Sequence, residues 1–216
     1  GTAFREIELL CRLYAGGKTP LRLYAAIGGP SADAERLLAS GRGYKSCADR
    51  LVVRGIKLYM DGALGSRGAA LLAPYSDSPK SVGLLRNEPG EILRIATAAL
   101  KSGIQVETHA IGDRANRLVL DLYERAFASV PPSERAVVEP RFRIEHAQVL
   151  APADIPRFAK LGVIASMQTS HAISDMYFAP SRLGPDRIKG AYAWRSLLDA
   201  GAIITGGSDA PVEQGD

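Results

Sequence analysis

Three short segments of the chain each put a metal-ligating or titratable side chain at the end of an apolar run. His109 lies in Gln105-Val106-Glu107-Thr108-His109, which continues into Ala110-Ile111-Gly112-Asp113. His146 closes Arg143-Ile144-Glu145-His146, and Asp209 follows Ile203-Ile204-Thr205-Gly206-Gly207-Ser208. Neutral imidazole and carboxylate are common nitrogen and oxygen ligands of zinc and related ions. An ion held this way, with one position left open, lowers the pKa of a bound water towards neutrality. Taken singly, each residue reads equally well as a hydrogen-bonded histidine or a helix cap. Three repeats favour one shared site, because the strand ends of a parallel α/β barrel converge on one mouth.

Lys57 is the fourth candidate. Strand alternation places Lys57, Tyr59 and Asp61 on one face and Ile56, Leu58 and Met60 on the other. An inward amine is costly unless paired, modified or lowered in pKa. An outward lysine fits the pattern equally well, and a desolvated one suits Schiff-base chemistry. His171, in Gln168-Thr169-Ser170-His171, reads as a substrate contact at the mouth or as an exposed loop histidine. Asp61 and Arg67 read as substrate-side residues, with a plain Asp61-Gly62 turn as the alternative. Asp113 reads as a helix N-cap and Trp194 as helix packing.

These residues need elements to hold them. Apolar spacing predicts helices over 6–14, 32–40, 91–102, 115–128, 153–161 and 191–200. Strands are predicted over 21–27, 51–60 and 163–167, and in the runs carrying His109, His146 and Asp209. Alternation of the two predicts an α/β fold with a parallel sheet. A complete (β/α)8 barrel takes about 250 residues. The six strands therefore read as a partial TIM-like barrel filling residues 1–216, with the first strands and a C-terminal part lying outside it. Residues 63–89 and 169–190 read as two long loops.

Bulk properties narrow the partners. The net charge is +4 over 216 residues, and the basic residues are scattered without a block or aromatic interleaving. This excludes a nucleic-acid footprint. No apolar run reaches membrane-spanning length, and no leader is visible, so a cytoplasmic placement is expected. Cys11 and Cys47 share no metal-site spacing and read as separate, reduced, buried fillers.

The segments Gly55-Ile56-Lys57-Leu58-Tyr59-Met60-Asp61-Gly62-Ala63-Leu64-Gly65-Ser66-Arg67, Thr108-His109-Ala110-Ile111-Gly112-Asp113, Ile144-Glu145-His146-Ala147-Gln148 and Gly206-Gly207-Ser208-Asp209-Ala210-Pro211-Val212 together resemble the amidohydrolase superfamily. They are most similar to its amidohydrolase-3 branch, which includes N-substituted formamide deformylases. The resemblance implies a metal-dependent (β/α)8 barrel, seen here over roughly strands 3 to 8, and hydrolysis of an amide-like C–N bond in a small molecule. It implies His109 and His146 as metal ligands. Asp209 would bind the metal and carry the proton of the attacking water. Lys57, carbamylated, would bridge two ions, with zinc the expected metal in one or two copies. The family's first strand supplies a His-x-His pair, whereas this chain has only His109, His146 and His171; the pair is expected upstream of Gly1. A catalytically silent barrel segment and a Schiff-base lyase using Lys57 stand as the alternatives.

Overall fold

The computed structural model describes residues 1–17, 19–41 and 43–213, which fall into two compact units. The first comprises Gly1–Leu58, Gly90–Glu107 and Arg125–Pro140, and the second Tyr59–Pro89, Thr108–Glu124 and Arg141–Asp216.

In the first unit the chain runs α1 (Phe4–Ala15), β1 (Leu23–Gly28), α2 (Ala32–Ser40), β2 (Tyr44–Ser46) and β3 (Leu51–Tyr59), then α3 (Pro89–Ser102) and the start of β4 (Gln105–Ala110). β1 pairs in parallel with β3, from Leu23 opposite Leu51 to Gly28 opposite Lys57. The short β2, which the sequence reading missed, pairs antiparallel with β3. Ser31 caps α2 by accepting from the Ala34 amide at 3.1 Å. One face of β3 carries Ile56 and Leu58, both fully buried. A Cβ at Gly29 would stand 3.0 Å from Ile56 Cγ2 and 3.4 Å from Ala34 Cβ, so this face looks onto α2. Lys57 therefore lies on the opposite face, as strand alternation requires. Gly55 shares that face, and a Cβ there would come within 2.7 Å of Glu107 Oε1. Only glycine lets the buried Glu107 carboxylate approach so closely.

The reading of Cys11 and Cys47 as separate reduced fillers is corrected: the two are joined by a disulfide between α1 and the turn after β2. Their separation of 36 residues gave no short-range signal, and only the packing of α1 beside β2 brings them together. No described helix is long and apolar enough to cross a membrane.

The second unit holds the end of β4, then α4 (Asp113–Ser129), β5 (Arg143–His146), α5 (Ile155–Leu161), β6 (Ile164–Met167), α6 (Thr169–Ser174), α7 (Ala179–Arg187), α8 (Trp194–Asp199) and β7 (Ile204–Gly206), with the last turns of α4 belonging to the first unit. β5, β6 and β7 pair in parallel, with Ile144 opposite Ala165 and Ala165 opposite Ile204. Intervening helices supply the crossovers that parallel pairing needs. Tyr123 of α4 anchors the layers: its hydroxyl meets Thr108 Oγ1 at 2.7 Å and donates to the Arg143 carbonyl at 3.1 Å.

The long stretch after β3 has no regular element up to Pro89 but is closely tied down. The expectation of a second long loop over 169–190 is corrected, because α6 and α7 occupy it. Pro180 near the start of α7 and Gly184-Pro185 at its internal kink disguise the helix in sequence; Gly184 adopts φ 75°. The two stretches pack on each other. Leu64, Ala69, Leu71 and Tyr75 share a buried cluster with Ile111, Val149, Ala179 and Leu183. The helix expected over 191–200 starts only at Trp194, after Tyr192 at φ 53°.

Candidate metal centre

His109, His146, His171 and Asp209 all belong to the second unit. His109 sits on β4, His146 ends β5, His171 lies in α6 just after β6, and Asp209 follows β7. The rings of His109 and His146 meet edge to face at 4.5 Å between centroids. His146 and His171 stack at 5.4 Å with planes 19° apart. Ligand atoms of His146, His171 and Asp209 all lie within 4.8 Å of one another. Thus the structure brings His146 and Asp209 together from separate strand ends, while His109 meets the His146 ring but lies outside that group. His171, read from sequence as a substrate contact, stands inside this cluster.

Two of these residues carry backbone conformations that side chains rarely adopt: φ is 77° at His146 and 56° at Asp209. Such conformations cost roughly 1–3 kcal/mol each and concentrate where a side chain must be aimed. At both positions the strand ends and the chain turns, so the side chain is redirected just where ligands would gather.

Gln168 fixes the tautomer of His146. Its Nε2 donates to the Ser166 carbonyl at 3.2 Å, which turns Oε1 towards His146 Nδ1 at 2.8 Å. An amide oxygen only accepts, so Nδ1 carries the proton and Nε2 carries the lone pair. This is the outer-shell arrangement that orients ligating histidines. The sequence reading did not single out Gln168, because nothing local marks an amide as the partner of a ring 22 positions earlier.

Asp61 is fully buried. Its Oδ2 accepts from the amides of Ala70 and Gly112 at 2.8 Å each, and its Oδ1 from Ile111 at 3.0 Å. Oδ1 also lies 3.5 Å from His109 Nε2. Burial pushes the carboxyl up to about 7, while the three amide bonds pull it down. Asp61 thus fastens the loop after β3 to the end of β4 behind His109, and the expectation of a substrate-side carboxylate does not fit a side chain closed off from solvent. Arg67 instead grips Asp77 through Nε at 3.1 Å and Nη2 at 3.0 Å. Arg182 of α7 also donates to Asp77. The bond from Arg67, followed by that from Arg182, holds the Asp77 carboxyl below the usual carboxylate range.

Asp113, expected as a cap, is the first residue of α4; its Oδ1 accepts from Arg114 N at 2.9 Å and from Leu72 N of the loop at 2.8 Å. Asn116 is fully buried and donates to carbonyls including Gly112 at 2.9 Å and Val149 at 3.2 Å, joining the ends of two strands. Gln148 Nε2 and the Tyr192 hydroxyl each donate to Asp175 Oδ2 at 2.7 Å. Lys57 is half-buried in the first unit, on the β3 face away from α2.

The residues present fit a divalent ion. His171 Nε2 is buried and has no hydrogen-bond partner among the described residues. It faces Asp209 Oδ2 at 3.8 Å and Glu213 Oε1 at 3.6 Å. Mixed imidazole and carboxylate donors suit zinc, iron, manganese and related ions.

A solved structure shares this fold. An uncharacterized metal-dependent hydrolase from Pyrococcus furiosus is 30% identical and superposes with a TM-score of 0.80, over 96% of this chain and 41% of its own. The chain belongs to the amidohydrolase family, whose model matches residues 2–216. Its α/β architecture is accordingly part of that family's barrel. Among curated relatives, Protein LONG AFTER FAR-RED 3 of Arabidopsis thaliana is 42% identical over 75% of the chain and 27% of its own length. The provisionally named amidohydrolase YtcJ of Bacillus subtilis (strain 168) is 34% identical over 92% of the chain and 35% of its own length. The chain thus spans about a third or less of the curated relatives it matches.

Proposed function

We propose that this chain carries the metal-holding and proton-carrying part of a hydrolase that cleaves an amide-like C–N bond in a small molecule. The observation behind this reading is the meeting of His146 and Asp209, from different strand ends, in one cluster with ligand atoms within 4.8 Å. When bound, an ion of the zinc class supplies Lewis acidity, polarising a carbonyl oxygen and making a water more acidic. His109, His146 and Asp209 would hold it. Gln168 keeps the lone pair of His146 on Nε2. Asp61 stands behind His109 and acts as a positioning residue. Asp209, with a side chain 38% exposed, can reach both the ion and the open side of the site. Its carboxylate accepts the proton of the attacking water and passes it to the departing nitrogen, a role worth typically 10²–10⁴-fold. Carbamylation of Lys57, which turns an amine into a bridging carboxylate, is part of the same proposal. Substrate choice falls to residues 63–89 and to α6–α7, whose shared apolar packing supports a shaped wall.

Asp209→Asn in the natural full chain tests the proton role. It keeps one ligating oxygen and removes the base, so it should retain most of its metal and lose turnover by at least about 10²-fold. Turnover near that of the parent would sink the assignment. In the same series, Lys57→Ala should be partly restored by acetate; no rescue would remove the carbamate from the scheme.

A further inference from the structure

We infer that His171 is a metal ligand beside His146 and Asp209, rather than a substrate contact, and that the ion clips α6 to the segment following β7. The inference rests on the reading of the site as that of a metal hydrolase. It starts from a mismatch of distances. His171 Nε2 lies 3.6 Å from Glu213 Oε1 and 3.8 Å from Asp209 Oδ2, with its side chain only 10% exposed. Direct N–H···O bonds are 2.7–3.2 Å long, so neither contact is a hydrogen bond. In a tetrahedral site with bonds of about 2.0–2.2 Å, neighbouring ligand atoms stand roughly 3.3–3.6 Å apart. The carboxylates therefore stand off from the imidazole at nearly the spacing that an ion between them imposes.

Two further features aim the parts. Ser174, at the other end of α6, donates to Glu213 Oε1 at 2.7 Å and so holds that carboxylate over the helix. The ligand atoms of His146, His171 and Asp209, contributed by neighbouring elements, all lie within 4.8 Å of one another. Closing the remaining gap falls to Asp209, whose side chain is 38% exposed and free of core packing. Since α6 has only six residues, too few to be stable alone, cross-linking it to a distant segment should rigidify it.

Cobalt(II) titration of the natural full chain, followed by competition with a chelator, tests this against His146→Ala as reference. His171→Ala should weaken cobalt binding by more than about 10²-fold, beyond what loss of an outer-shell partner typically costs. It should also change the visible ligand-field spectrum, since a nitrogen donor is lost. His171→Gln, which keeps most of the bulk, should do the same if the alanine variant fails to fold. In the unaltered protein, cobalt should slow amide exchange across Thr169–Ser174. Unchanged affinity and spectrum in a folded His171 variant, with His146→Ala still losing metal, would overturn the His171 assignment alone. Unchanged binding in both variants, or no cobalt binding by the parent, would overturn it together with the metal-hydrolase reading. Cobalt binding that leaves α6 exchange untouched would remove the clip.

Discussion

Replacing Asp61 with alanine should cost the second unit about 2–4 kcal/mol of stability. The carboxylate is fully buried and accepts from three backbone amides, those of Ala70, Ile111 and Gly112. Each buried donor left without a partner costs about 1–3 kcal/mol, or roughly 3–9 kcal/mol for the three. Part of this is returned, because the variant no longer buries a carboxylate whose pKa burial pushes up to about 7. From an ordinary value of 3.8 that shift corresponds to at most about 4 kcal/mol. At the middle of that range the lost amide bonds outweigh it by about 2 kcal/mol. Asp61→Asn keeps one acceptor oxygen and sheds the charge, so it should cost only about 1–2 kcal/mol. Urea unfolding of both variants gives the totals, and amide exchange resolves the mechanism. In Asp61→Ala, protection should fall first at Ala70, Ile111 and Gly112. An alanine variant within about 0.5 kcal/mol of the parent, with these amides still protected, would refute the idea that Asp61 fastens the loop behind His109.

Two other perturbations follow from the same structure. The Asp77 carboxyl is held low by Arg67 and Arg182, so its contribution is present above the ordinary carboxylate range and is lost as pH falls through its folded pKa; Asp77→Asn should flatten the acid side of a stability–pH curve, and an unchanged slope would count against the pairing. Reduction of the Cys11–Cys47 bond, or Cys47→Ser, releases a loop of separation 36 and should cost the first unit up to about 4 kcal/mol; a thermal midpoint indifferent to reductant would show that the bond does not constrain that unit.

Strand ends were the most legible part of the chain. An apolar run ending in His, Gly or Asp encodes its own boundary, so β4, β5 and β7 lie where Gln105, Arg143 and Ile203 begin such runs. Asp61 was less legible, because Asp-Gly is a turn signal in its own right. What decides its role is a set of amides 9, 50 and 51 positions away. The helical stretch that follows β6 and carries His171 hid for a related reason. It contains Pro180, Gly184 and Pro185, breakers that outweigh helical spacing in sequence, yet α6 and α7 form around them once Leu183 and Ala179 find apolar partners. The pairing of Cys11 with Cys47, and the orientation of His146 by Gln168, are tertiary facts with no local trace.

The stretch 61–89 and the helices α6 and α7 are distant in sequence but interlocked. Arg187 Nη1 donates to the Ala73 carbonyl at 2.7 Å and its Nη2 to Pro74 at 2.7 Å, while the Ser76 amide donates to the Arg182 carbonyl at 2.9 Å. A Cβ at Gly184 would lie 2.6 Å from Ser76 Oγ. In an exchange of parts with a related enzyme, neither segment is a module by itself. A chimaera carrying only one donor segment would leave Asp77 facing foreign side chains and Arg187 without its two carbonyls. Grafts that transfer both segments together are the ones that should fold, and specificity at this site should accordingly pass between relatives in matched pairs.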